Sequence, residues 1–112
     1  MTNQPNLFDR NDSAIEDERV VLYALGDFVS RGKVLADREL PLERLLGAFR
    51  RAFENYSVKP LSDARLATVL KNLGAQVTEV PDFVAKHPFR VVVSARLAQS
   101  AEEVFRSERK PE

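Results

Sequence analysis

The stretch KPLSDARLATVLKNLG, Lys59 to Gly74, carries side chains whose types and spacing can do recognition chemistry. Ser62, Arg65, Thr68, Lys71 and Asn72 recur at steps of one, three or four residues, which gathers two hydroxyls, two cations and an amide on one side of an α-helix. Groups of this kind donate to phosphate oxygens and to the acceptors on base edges. The same set also fits an ordinary solvated helix face. Further along, Lys86, His87 and Arg90 supply three more nitrogen donors, and they follow the adjacent apolar residues Phe83 and Val84.

Covalent chemistry has much less to work with. A serine-type nucleophile needs a base to take its proton, and His87, between a lysine and a proline, is the only imidazole. The absence of cysteine removes disulfides, thiolate metal sites and a cysteine nucleophile, and a single histidine makes an ordinary zinc site a poor fit. Asp12, Glu16, Asp17 and Glu18 form an acidic cluster that capping and solvation explain, without the spacing of a calcium loop. The four glycines, Gly26, Gly32, Gly47 and Gly74, are scattered singly, so no phosphate-cradling loop is present. The expectation is a chain that is not an enzyme, with no cofactor, no metal and no small-molecule substrate.

The helix that would display the recognition residues is marked at both ends. Leu66, Val69, Leu70 and Leu73 form its buried stripe at i, i+3, i+4 and i+7. Ser62 is the expected N-cap, Asp63 suits the positive end of the helix dipole, Leu61 and Leu66 have the spacing of a hydrophobic staple, and Gly74 can take the left-handed conformation that closes a helix. An expected helix over 62–73 follows.

Upstream, Ser13 and Glu16 have capping-box spacing, and Val21, Leu22, Ala24, Leu25, Phe28 and Val29 give a first helix ending near Gly32. Residues 1–12 read as a flexible arm in which Leu7 and Phe8 are adjacent. Lys33 to Leu40 reads as a charged connector with room for a few strand residues. Pro41 suits the first position of a second helix, whose buried side is Leu42, Leu45, Leu46, Phe49, Ala52, Phe53 and Tyr56. Arg44, Arg50, Arg51 and Glu54 fall off that stripe, toward water. Gly47 lies inside this helix, where it costs roughly 1 kcal/mol relative to alanine, and a close helix crossing is the expected reason. Pro60 forces a tight link to the next helix, the arrangement of a helix-turn-helix.

Beyond Gly74 the period changes. The alternating run Ala75 to Val80 and the β-branched run Phe89 to Leu97 predict two strands, joined by a loop over PDFVAKHP, Pro81 to Pro88. Ser100 and Glu103 repeat the capping-box spacing ahead of Val104 and Phe105, which allows a short C-terminal helix with a frayed tail over 107–112. The fold class expected is α+β, a winged helix-turn-helix of three helices and a β-hairpin wing, occupying 13–106.

Composition sets outer bounds. One domain suits 112 residues. Seventeen basic and seventeen acidic side chains cancel overall, yet residues 50–96 carry eight basic against four acidic groups, a local +4. The start lacks an apolar signal segment, and no apolar run approaches the roughly 18 residues of a membrane span. A cytoplasmic location is the expectation.

Across Val20 to Leu97 the sequence resembles the winged-helix domain at the C-terminus of phage and plasmid primase-helicase proteins. The resemblance rests on Pro60-Leu61-Ser62 and on Leu66, Leu70, Leu73 and Gly74, after a helix with the form LxxxFxxaF. It implies a replication-linked, double-stranded-DNA-binding role, with recognition-helix positions at Ser62, Arg65, Thr68 and Lys71 and wing positions at Lys86, His87 and Arg90. Asn72 joins that set from its place on the helix. The alternative is a winged helix that docks a partner protein or a second copy of itself through Phe83 and Val84, which zero net charge and the apolar loop favour.

Overall fold

The computed structural model describes the backbone of residues 5–80 and 89–109, with side chains from residue 16 onward. In chain order the elements are α1 (Pro5–Ser30), β1 (Glu39–Pro41), a 3-10 turn (Leu42–Leu45), α2 (Leu46–Tyr56), α3 (Asp63–Asn72), β2 (Gln76–Glu79), β3 (Phe89–Val92) and α4 (Ala95–Glu108). The chain is α+β, as its changes of period imply.

Helix α1 is the element the others pack on. From Val20 to Phe28 every residue except Leu22 is buried, so apolar side chains surround the helix instead of lining one stripe. A helix that is apolar all round must have neighbours on several sides, and α1 meets α2, α3 and α4. It starts at Pro5, ahead of the Ser13 capping box, so the expected arm is helical from Pro5 through Asp12. Proline is well suited to a first helical turn, because its missing N–H would be unsatisfied there anyway.

The buried sides of α2 and α3 follow the predicted stripes, with Ala48 and Ala67 added and Leu46, Tyr56 and Leu73 only half-buried. Ala48, Phe49, Ala52 and Phe53 are buried in α2, and Leu66, Val69 and Leu70 in α3, joined by Ala67. Pro41 ends β1 and caps the 3-10 turn that leads into α2. Leu61 and Leu73 pack at the edge of the core.

The sheet has three antiparallel strands in the order β1-β3-β2. Val91 lies at its centre, opposite Leu40 on one side and Val77 on the other, and its side chain is 1 % exposed. β1 supplies the third strand, from the connector. The run expected as strand to Leu97 stops at Val92, because a helix begins at Ala95, where the Ser94 hydroxyl accepts from the Leu97 N–H. Ser94, not Ser100, therefore caps the last helix, which is longer than expected and takes in Ser107 and Glu108.

The close helix crossing expected at Gly47 falls instead at Gly26. A Cβ built at Gly26 would run into the carbonyl oxygen of Ala101 and lie 2.6 Å from the Phe105 Cβ, so the close crossing is between α1 and α4. The fully buried Ala101 and the nearly buried Ala98 give α4 the small surface such an approach needs. At Gly47 the nearest atom is Arg51 Nη1 at 3.6 Å, ordinary contact distance, and no crossing demands glycine there.

Candidate nucleic-acid interface

Helix α3 is built to show one face. The Ser62 hydroxyl accepts from the Arg65 N–H at 3.1 Å, which caps the start, and Gly74, at φ +103°, follows the last turn. With Leu66, Val69 and Leu70 turned inward, the outward positions are Thr68, Lys71 and Asn72, all exposed, with Arg65 beside them. The Thr68 hydroxyl donates to the Ala64 carbonyl at 3.1 Å and keeps its lone pairs free to accept. Ser62, although exposed, spends its oxygen on the cap.

Arg65 differs from the others. Its Nη2 and Nε donate to the same Asp17 carboxylate oxygen of α1, at 2.8 and 3.1 Å, with the arginine side chain 42 % exposed and the aspartate 21 %. The acidic cluster near the start of the chain thus has a specific job at Asp17, beyond the capping and solvation expected of it. No sequence signal paired these residues, because the contact spans two helices far apart in the chain.

Arg90 lies on β3, the central strand, opposite Thr78 of β2 and Pro41 of β1, and is half-buried. Residues 81–88 lie outside the described residues, and with them Lys86, His87, Phe83 and Val84. The structure therefore places Ser62, Arg65, Thr68, Lys71 and Asn72 on one helix and Arg90 in the sheet that follows it.

A second charged cluster holds α1 to α2. Asp27, 3 % exposed, accepts from Arg31 Nε at 2.9 Å and from Arg51 Nη2 and Nε at 2.6 and 3.0 Å. Burial alone would push this carboxyl up. The hydrogen bonds and charges of Arg51 and Arg31 outweigh it and leave Asp27 below the ordinary aspartate range, while the bond to Asp27 pushes Arg51 up. Arg51, expected in water, is thus tied to a buried partner. An aspartate inside an apolar helical run, four residues before an arginine, was the available sequence signal.

The end of α4 is tied down by Glu108. Its carboxylate accepts from the Tyr56 hydroxyl at 3.0 Å and from Arg19 Nη1 at 3.0 Å. Burial first, and then the bond to Glu108, raise the Tyr56 hydroxyl well above its usual range. Tyr23 stands edge-on to Tyr56, with ring centroids 5.5 Å apart, and tilts against Phe105 at 5.0 Å.

Among the described residues no group of three His, Cys, Asp or Glu side chains is placed to hold a metal ion, and no helix is long and apolar enough to cross a membrane. No family model matches the chain, and no curated protein or solved structure is significantly similar to it.

Proposed function

We propose that this chain is a winged helix that binds double-stranded DNA, with α3 as the helix laid in the major groove and the β2–β3 hairpin as the wing. The observation that carries the reading is the outward face of α3, where exposed Thr68, Lys71 and Asn72 stand beside a half-exposed Arg65 on a helix whose other face is buried through Leu66, Val69 and Leu70. The element order is compatible with it: a helix, a short strand, two helices separated by residues 57–62, and two antiparallel strands. In this reading Lys71 meets phosphate, Asn72 and Thr68 hydrogen-bond, and Arg90 with Lys86 and His87 meets the backbone from the wing. Few cations are involved, so a dimer or larger assembly adds sites.

The test is binding to labelled duplex as salt is raised. Log affinity falls linearly with log salt, by roughly 0.9 per phosphate neutralised, and Lys71→Ala flattens the slope by about that amount. Absence of binding at low salt, or a slope indifferent to Lys71→Ala, refutes the reading. The pairing of Arg65 with Asp17, which cancels one of the few cations on α3, favours a second reading in which the same scaffold docks a protein or another copy of itself. Under that reading Phe83→Ala abolishes self-association or partner capture with little change in thermal unfolding.

A further inference from the structure

The Asp17–Arg65 pair fixes more than charge. Both hydrogen bonds use the Nε and Nη2 side of the guanidinium and end on one oxygen, so the plane of the group is set while its Nη1 side is turned away from the carboxylate. Arg65 is the third residue of α3, at the helix end that carries base contacts in helix-turn-helix docking. Taken together, the pair has no net charge, and its pull on any one phosphate is correspondingly weak. What remains is a flat pair of donors whose direction is set by the two bonds to Asp17. Such a group suits two adjacent acceptors: a phosphate also offers a pair, but the charge-cancelled guanidinium is drawn to it only weakly, and among major-groove base edges only guanine, through O6 and N7, presents them.

We propose that Asp17 is a positioning residue that turns Arg65 from a phosphate contact into a reader of guanine in duplex DNA. The inference rests on the DNA-binding reading of α3 and adds a specificity determinant on α1, an element outside the recognition helix. Asp17 trades affinity for discrimination: it lowers attraction to any duplex and raises the preference for one with guanine at the matching step.

The experiment uses the full chain, a duplex enriched by the wild type from a randomised pool, and a scrambled duplex of the same composition. For the wild type, replacing the critical guanine by 7-deazaguanine, which lacks the N7 acceptor, weakens binding at least five-fold, the lower end for a bidentate base contact. Asp17→Asn binds the scrambled duplex more tightly, with a salt slope steeper by about 0.9, and loses most of its response to 7-deazaguanine. Arg65→Lys keeps the charge but not the fork, and loses the same response. Thermal unfolding of each variant confirms that the fold is intact. Equal tightening on both duplexes by Asp17→Asn, with the 7-deazaguanine effect retained, makes Asp17 a simple competitor and overturns the proposal. So does an unchanged ratio of affinities in a folded variant. A wild type that binds no duplex at low salt overturns the DNA reading itself, and this assignment with it.

Discussion

Replacing Gly26 and Gly47 by alanine, one at a time, should move stability in opposite directions although both glycines are helical. At Gly47 the new methyl meets only the end of the Arg51 side chain, at 3.6 Å. The change then removes backbone freedom from the unfolded chain and restores helix propensity, a gain of about 0.5–1 kcal/mol, toward the low end because Gly47 lies in the first turn of α2. At Gly26 the methyl meets the Ala101 backbone and the Phe105 Cβ, neither of which can rotate away. Helices α1 and α4 must separate, at a cost of about 1–3 kcal/mol for overpacking, offset by at most about 1 kcal/mol of propensity. A net loss of about 1–2 kcal/mol lowers Tm by roughly 4–8 °C for a domain of this size, while Gly47→Ala raises it by about 2–4 °C. Urea unfolding followed by far-UV circular dichroism measures both changes through the midpoint at constant slope. A Gly26→Ala chain as stable as the wild type would refute the close α1–α4 crossing. A destabilised Gly47→Ala chain would return the crossing to α2.

Other expectations follow from the charged clusters and caps. Asp27→Asn removes the charge that two guanidiniums share and lowers stability by about 2 kcal/mol at neutral pH, less than for a fully buried pair because Arg31 and Arg51 are 53 % and 38 % exposed. Because the folded-state pKa of Asp27 is depressed, its contribution is complete above about pH 4, the unfolded value, and is lost as pH falls through the lower folded value. Urea midpoints measured from pH 7 to pH 2 should therefore fall more steeply for the wild type than for Asp27→Asn, and parallel curves would contradict the clamp. Ser94→Ala should cost about 1 kcal/mol through loss of the α4 cap, whereas Ser100→Ala, on the exposed middle of that helix, should cost under about 0.5 kcal/mol.

Local patterns in the sequence located α2 and α3 well, because each has a single buried stripe and α3 has clear punctuation at Ser62 and Gly74. They served α1 less well. A helix buried on several sides shows no single period, and the polar residues after Pro5 resemble an arm until the chain is seen to continue one helix. The end of β3 leaves no local mark, because Val91, Val92 and Val93 all suit a strand, while the change is made by one hydroxyl, that of Ser94, which starts α4. The third strand, β1, is too short to leave a pattern of its own, and it exists because β3 has a free edge for it to pair with. The residues of α3 proposed to touch DNA were legible as a face. The partners that tune them were not, since Asp17 reaches Arg65 across 48 positions of sequence. Local reasoning carries no information about such contacts.

The central claim is that duplex DNA lies against α3 and the sheet that follows it. Amide chemical-shift mapping of the isotope-labelled chain during titration with a short duplex tests it most directly. With DNA bound there, the largest shifts fall on residues 62–73 and around Arg90 and shrink as salt is raised, while the buried α1–α4 crossing at Gly26 and Ala101 stays unmoved. Shifts concentrated on α4, or no shifts at low salt, would contradict it.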